Sequence, residues 1–168
     1  MIPLSSAASA QLSWSKLPHN RGYELRWNRE VMGTLHHPSL RSPNFMAETP
    51  NGCWTFRRGG FLGAGSDIVD SVSQQQVATF RPAWNGGGAL IFADGEIFHV
   101  ACKGLWHPVW SVATEEGQPV LYLHTREKSI ELPSGTSLPE SRLSLLIIFS
   151  WYRLLQAEED VASAAMVA

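Results

Sequence analysis

The fold of this chain is decided by the segment from Ser137 to Leu155, which reads SLPESRLSLLIIFSWYRLL. In an α-helix, at about 3.6 residues per turn, Arg142 and Arg153 lie at the two ends of one stripe. The middle of that stripe is apolar and consists of Leu146 and Phe149. The segment therefore differs from an ordinary amphipathic helix, whose polar face runs along its whole length.

The middle of this segment is apolar on every side from Leu145 to Tyr152, apart from Ser150. We expect such a helix to be enclosed by other elements. Residues 143–155 would span about 20 Å, which is the height of a barrel built from strands of about six or seven residues. A transmembrane span is not expected, because it needs about 20 apolar residues and Arg153 interrupts the run.

The helix start is predicted from Ser137 and Glu140, which have the spacing of a capping box with Pro139 in the first turn. The acidic residues Glu158 and Glu159 mark the end of the apolar run. We predict a C-terminal helix over about 138–160.

Strand-like runs fill the chain ahead of this helix. They are rich in β-branched and aromatic residues and are separated by turns that contain glycine. Asp94-Gly95 is typical of a hairpin turn in which both residues have positive φ. No helical pattern lies between the runs, so parallel βαβ units are not expected. The predicted strands are 23–27, 30–35, 45–48, 54–57, 67–72, 77–81, 89–93, 97–101, 109–113, 120–124 and 128–132.

Length and composition agree with one compact domain, since 168 residues with 44% hydrophobic and 17% charged side chains can bury a substantial core. The predicted class is mainly β: a closed antiparallel β-barrel of about 12 strands around a buried hydrophobic C-terminal helix. Residues 21–168 would form this single domain. Residues 1–20 are predicted to be a flexible tail.

Several segments also resemble a known family. They are Cys53 to Phe61, Val77 to Phe80, Gly88 to Gly95 with the strand that follows, Trp106 to Trp110, the Gly117 turn and the closing helix. In the order and type of these elements, the chain resembles the tubby C-terminal-like superfamily, which includes the LURP-one-related proteins and the phospholipid scramblases. The resemblance implies a twelve-stranded barrel around a hydrophobic helix. It also implies a link to anionic phospholipids, because tubby domains bind phosphoinositide headgroups through basic side chains.

Arg57 and Arg58, which precede Gly59-Gly60, are the best candidates for an anion contact. Arginine's planar fork suits phosphate or carboxylate, and the glycines let a ligand approach the backbone. The alternative is a solvated strand end, or an arginine paired with a nearby carboxylate. Arg81 and Lys103 would join the patch only if the fold brings them to it. The formal net charge of −2 does not favour an anion-binding surface by itself.

Tryptophan is abundant, with seven residues. Trp84, Trp106 and Trp110 lie near glycines and prolines, so they would either line an exposed aromatic surface or plug the ends of the barrel. Plugging is the commoner arrangement, and we predict it here.

Other chemistries have little support in the sequence. No motif combines a nucleophile, a base and an orienting group, so no enzyme is expected. His99 and Cys102 would point to opposite faces of a strand, so neither a metal site nor a cofactor is predicted. Without a basic excess, no nucleic-acid partner is expected.

The sequence therefore predicts a non-enzymatic binding module for an anionic phospholipid headgroup or a protein partner at a surface groove. We expect it in the cytoplasm, in part peripherally at a membrane. The alternative is a structural or assembly protein that acts through oligomerisation.

Overall fold

The computed structural model describes residues 12–18, 22–27, 29–39, 42–59, 65–84, 86–104, 108–133, 135 and 137–167. For residue 12 and residues 160–167 it describes the backbone alone.

Within these described ranges, twelve β-strands close into one barrel, and a single long helix follows them. Each strand runs antiparallel to its neighbours in the chain, and β1 completes the circle by pairing with both β2 and β12. This arrangement confirms the predicted fold class. The elements are β1 (Leu12–Lys16), β2 (Gly22–Trp27), β3 (Glu30–His36), β4 (Phe45–Thr49), β5 (Gly52–Gly59), β6 (Gly65–Asp70), β7 (Gln76–Pro82), β8 (Gly88–Phe92), β9 (Ile97–Lys103), β10 (Val109–Thr114), β11 (Pro119–His124), β12 (Ser129–Glu131) and α1 (Glu140–Val167).

The helix α1 fills the barrel, because every residue from 143 to 152 is buried. Phe149 meets the rings of Phe56 on β5 and Phe80 on β7, with centroids 5.5 and 5.2 Å apart. On an adjoining face of the helix, Ile148 lies so close to Gly33 on β3 that a methyl group added to Gly33 would sit 3.1 Å from the Cδ1 atom of Ile148. Ser150, one of two serines in this stretch, donates its hydroxyl hydrogen to the carbonyl of Leu146 at 2.7 Å.

The helix begins later and ends later than the sequence predicts. Its first residue is Glu140, and the amide of Leu143 donates to the carbonyl of Pro139 at 3.0 Å. Ser137 therefore lies two residues before the residue that caps the helix, and the predicted capping box is wrong. At the other end the helix continues to Val167, beyond the predicted end near 160.

The predicted tail was wrong for residues 12–16, which form β1. Ser13 pairs with Arg26 of β2 and also with Ser129 of β12, so the strand is required to close the barrel. Trp14 is buried between polar neighbours, the alternation expected of a half-buried strand. The rest of the predicted tail lies outside the described residues, except for Leu17 and Pro18.

Three hairpins share one turn geometry: Ala83 to Gly87, Phe92 to Glu96 and Thr114 to Gln118. In each turn, the carbonyl of the first residue accepts a hydrogen bond from the amide of a glycine with positive φ. The amide of the first residue donates to the carbonyl of the fifth residue. Gly95 has a φ of 92°, but Asp94 does not have positive φ. The prediction of positive φ at both residues was wrong, because this longer turn needs only one left-handed residue.

Candidate functional site

The strands alternate in direction, so every second turn lies at the same end of the barrel. One end carries the start of α1 together with the β2–β3, β4–β5, β6–β7, β8–β9 and β10–β11 turns. The opposite end carries the point where α1 leaves the barrel together with the β1–β2, β3–β4, β5–β6, β7–β8, β9–β10 and β11–β12 connections. We assign a described charged residue to an end when it lies in a turn, among the two residues at either terminus of a strand, or at that end of α1.

The end at which the helix starts is rich in carboxylates, and we call it the acidic end. Nine of them lie there against three arginines. The carboxylates are those of Glu30, Glu48, Asp70, Asp94, Glu96, Glu115, Glu116, Glu131 and Glu140, and the arginines are Arg26, Arg29 and Arg142.

The opposite end is rich in cations, and we call it the basic end. Seven described cations lie there against three described carboxylates. The cations are Lys16, Arg58, Arg81, Lys103, Arg126, Lys128 and Arg153, and the carboxylates are those of Glu127, Glu158 and Glu159. A formal net charge of −2 therefore conceals two ends of opposite sign.

The predicted site residues all lie on the half of the barrel toward the basic end. Arg58, Arg81 and Lys103 lie at the ends of β5, β7 and β9, while Arg57 lies one residue further in. Strands two apart in a sheet are separated by about 10 Å, so these residues form an arc along the rim and not a single pocket.

The environments of the four predicted residues differ. Arg57 pairs in register with Asp67, and its Nη2 donates to Oε1 of Gln74 at 3.2 Å. Its guanidinium is therefore already occupied in part. Arg81 and Lys103 are exposed, and within the part of the chain that the structure describes neither makes a hydrogen bond or an ion pair.

Trp84 is the most exposed large apolar side chain among the described residues, at 99%. It lies in the β7–β8 turn of the basic end, three residues after Arg81. The prediction that it plugs the barrel was wrong. Trp110, at 4% exposed, is part of the core as predicted, and Trp106 lies outside the described residues.

The acidic end holds a pocket of about 400 Å³ between the start of α1 and the β4–β5, β6–β7 and β8–β9 turns. Arg142 reaches into it, with its guanidinium 4.2 Å from the centre of the Phe92 ring. Nη2 of Arg142 donates to Oδ2 of Asp94 at 2.5 Å, and Nη1 is paired with Glu96. The hydrogen bond from Arg142 lowers the pKa of Asp94 below its ordinary value.

Other groups at this pocket are also used internally. Asp70 accepts hydrogen bonds from the amide and the hydroxyl of Ser73, which lower its pKa. Asn51 donates to the hydroxyl of Ser144 on the helix at 2.9 Å. The contacts of Asn51 and Arg142 fasten the helix start to the turns, and the described cation of the pocket lining, Arg142, is paired.

The exit of the helix carries its own polar contact. The hydroxyl of Tyr23 donates to Oε1 of Glu159 at 3.2 Å, and burial together with the charge of Glu159 raises the pKa of Tyr23 to about 12. Burial also raises the pKa of Glu158, against the opposing effect of Lys128.

The described residues contain neither a cluster of metal ligands nor a membrane-spanning helix. Within the described ranges, no three His, Cys, Asp or Glu side chains converge in a way that would hold a metal ion. His99 is exposed and Cys102 is half-buried on β9, while His107 lies outside the described residues. In the part of the chain that the structure describes, no helix is long and apolar enough to cross a membrane.

Sequence reasoning missed the separation of charge because it used the net charge of the whole chain. The sequence nevertheless contains a signal from which this separation of charge can be predicted. Once a series of hairpins is predicted, the turns can be assigned alternately to two ends, and their charges can be summed separately. That assignment would also have placed Trp84 beside the cations.

Comparison of the chain with protein-family models, with curated proteins and with solved structures found no match to any of them.

Proposed function

We propose that this protein is a non-enzymatic binding module that recognises anionic phospholipid headgroups through its basic end. The observation that carries the proposal is the separation of seven cations from nine carboxylates along the barrel axis. An anionic leaflet attracts basic residues near its surface and repels carboxylates, so such a molecule is held with its basic end toward the lipid. The cytoplasmic leaflet, which carries the anionic lipids, is the surface that this chemistry fits.

The geometry of the basic end favours a surface with many phosphates over one isolated anion. Arg81 and Lys103 are exposed on different strands and have no described partner, so they are available to separate headgroups. At the acidic end, by contrast, Arg142 is neutralised by two carboxylates. Nucleic acid fits less well, since it would meet only one cationic rim on a molecule of negative net charge.

The resemblance to the tubby-like superfamily points to the same ligand class from different evidence. It rests on the order of aromatic strands, turns and the closing helix, whereas the charge argument rests on which turns share an end. The two arguments therefore support the proposal independently.

The test is sedimentation of the full chain with phosphatidylcholine vesicles, with and without phosphatidylserine. The variant Arg81→Gln, Lys103→Gln removes two exposed cations from the basic end. At about 1 kcal/mol for each basic residue near an anionic surface, we expect its affinity to fall roughly thirtyfold. Binding of the unaltered chain should also weaken as salt is added.

The matched control is Arg26→Gln, Arg29→Gln, which makes the same change in net charge at the acidic end. We expect it to bind as the unaltered chain does. Equal losses in the two variants would show that net charge, and not the basic end, controls binding. Soluble glycerophosphoserine should compete poorly if an array of headgroups is required, and strong competition would indicate a site for one headgroup.

Assembly of copies end to end is a second candidate, because the acidic end of one molecule complements the basic end of the next. Such a head-to-tail contact does not close on itself and gives filaments. Light scattering at low salt would then show a mass that rises with protein concentration. A monomer at every concentration would remove this candidate and leave the first unaffected.

A further inference from the structure

Trp84 has a large apolar side chain that lies exposed on the surface of the barrel. Tryptophan is highly buried on average, yet this side chain is 99% exposed. It lies in the same turn region as the exposed Arg81, which ends β7 together with Pro82. An exposed ring beside unpaired cations is unfavourable in water and becomes favourable at a surface that offers both apolar chains and negative charge.

Hydrogen bonds join the described residues on the two sides of the turn that holds Trp84. The amide of Ala83 donates to the carbonyl of Gly87 at 2.8 Å, and the amide of Gly86 donates back to the carbonyl of Ala83 at 3.2 Å. Gly86 supplies the left-handed residue, with a φ of 84°. Trp84 is thus displayed at the tip of a hydrogen-bonded hairpin and not on a long loop.

The two other hairpins with this geometry provide an internal comparison. The position that Trp84 occupies is filled by Ala93 in one and by Glu115 in the other, and both of those turns lie at the acidic end. The same backbone therefore presents a small or charged residue at one end of the barrel and a large aromatic residue at the other. Turn geometry does not require the tryptophan.

Tryptophan is suited to the boundary between headgroups and acyl chains, where its ring is in apolar surroundings and its N–H group remains hydrogen-bonded. Arginine and lysine beside it can place their aliphatic stems along the same boundary and their charges among the phosphates. A single apolar anchor gives weak binding, and a basic patch supplies the second contribution that stable attachment needs. The basic end contains both.

We infer that the basic end docks onto an anionic bilayer with the barrel axis upright and the Trp84 ring inserted at the interface. This inference rests on the proposed function and adds the insertion of the Trp84 ring into the bilayer interface. The carboxylates of the acidic end then lie farthest from the lipid, so attraction and repulsion select the same orientation.

The experiment uses the full chain, phosphatidylcholine vesicles with and without phosphatidylserine, and the variants Trp84→Ala and Trp84→Phe. Loss of one partly inserted aromatic ring should weaken binding to the anionic vesicles about tenfold. Phenylalanine should restore part of the affinity. The matched control is Val72→Ala, because Val72 is 85% exposed in a turn of the acidic end and should have no effect on binding.

Fluorescence gives a second readout that does not depend on affinity. The difference between the emission of the unaltered chain and that of Trp84→Phe isolates Trp84 from the other six tryptophans. This difference signal should shift to shorter wavelength when anionic vesicles are added, and bromine-labelled acyl chains should quench it. An unshifted and unquenched signal on bound protein would overturn the insertion.

The outcomes separate the inference from the proposed function. If Arg81→Gln, Lys103→Gln loses binding while Trp84→Ala binds like the unaltered chain, headgroup recognition stands and insertion is wrong. If the unaltered chain does not bind anionic vesicles at all, both proposals fall. A loss in Trp84→Ala with a shifted difference signal supports both.

Discussion

The two arginines on the central helix lie at opposite ends of the barrel and in opposite surroundings. Arg142 lies 4.2 Å from the centre of the Phe92 ring and is ion-paired with Asp94 and Glu96. Arg153 lies 4.8 Å from the centre of the Phe80 ring, and its Nη1 donates to the neutral amide oxygen of Gln156 at 2.8 Å.

The comparison shows that the two ends of this helix stripe, which carry Arg142 and Arg153, have different electrostatic surroundings. At the acidic end, the cation of Arg142 is matched by carboxylates from a turn, so it holds the helix start in place. At the basic end, the described cations outnumber the described carboxylates, and Arg81 and Lys103 are exposed. The acidic end therefore provides attachment within the molecule, whereas the basic end presents exposed cations.

The largest expected difference between the two ends concerns the aromatic rings beneath the arginines. Phe80 is 1% exposed and contacts Phe149, so Phe80→Ala should lower the free energy of unfolding by about 3–5 kcal/mol. Phe92 borders the pocket of the acidic end, where water can fill the space left by the ring, so Phe92→Ala should cost less. Urea unfolding of both variants measures the difference. A larger loss in Phe92→Ala would mean that the acidic end is the more tightly packed of the two.

A smaller effect is expected from the ion pairs of Arg142 when the pH is lowered. Since the pKa of Asp94 lies below its ordinary value, its ionised form stabilises the fold at neutral pH. That stabilisation is lost as the pH falls below about 4 and through the lowered value. The unaltered chain should therefore exceed Arg142→Met in stability at neutral pH, and the difference should shrink in acid.

The control for this experiment is Arg29→Met, which removes an exposed arginine from the same end. We expect its difference from the unaltered chain to be small at every pH. If the difference between Arg142→Met and the unaltered chain does not change in acid, the ion pair with Asp94 has no part in holding the helix.

The smallest effect is expected at the exit of the helix. Replacing Glu159 by glutamine removes the charge next to the Tyr23 hydroxyl, so the pKa of Tyr23 should fall from about 12. It should stay above its ordinary value of 10, because burial is the largest cause of the shift. Spectrophotometric titration measures the change. Glu158→Gln, which acts through charge alone, should lower this pKa less, and the reverse order would show that Glu159 is not the partner of Tyr23.

The architecture was predictable because an element that is apolar on every side has few possible positions. Leu145 to Tyr152 required an enclosure, and the short alternating runs supplied it. The strand β1 was missed because a five-residue stretch with one large inward side chain, Trp14, carries little periodic signal by itself. Its partners are β2, the next strand in the chain, and β12, the last strand. The pairing of β1 with β12 therefore depends on closure of the barrel.

The candidate site was less predictable than the fold. Arg58, Arg81 and Lys103 were predicted from their residue types. Their location at one end of the barrel follows from the directions of β5, β7 and β9, which cannot be deduced from each residue considered alone. The exposure of Trp84 has a similar origin. Its sequence neighbours indicate only a turn, and whether a turn residue plugs the barrel or extends from it depends on the tertiary packing around the rim.

The position of α1 also bears on how the chain is made. The helix follows all twelve strands in sequence, so a ribosome completes every strand before it produces the element on which they pack. Until then the inner faces of the strands have no core, and unpaired apolar strands are prone to aggregate. A closed barrel would also exclude the helix. The seam between β1 and β12, for which the described residues provide two residue pairs, should therefore close last, so that the nascent chain remains an open sheet until residues 140–155 have been synthesised.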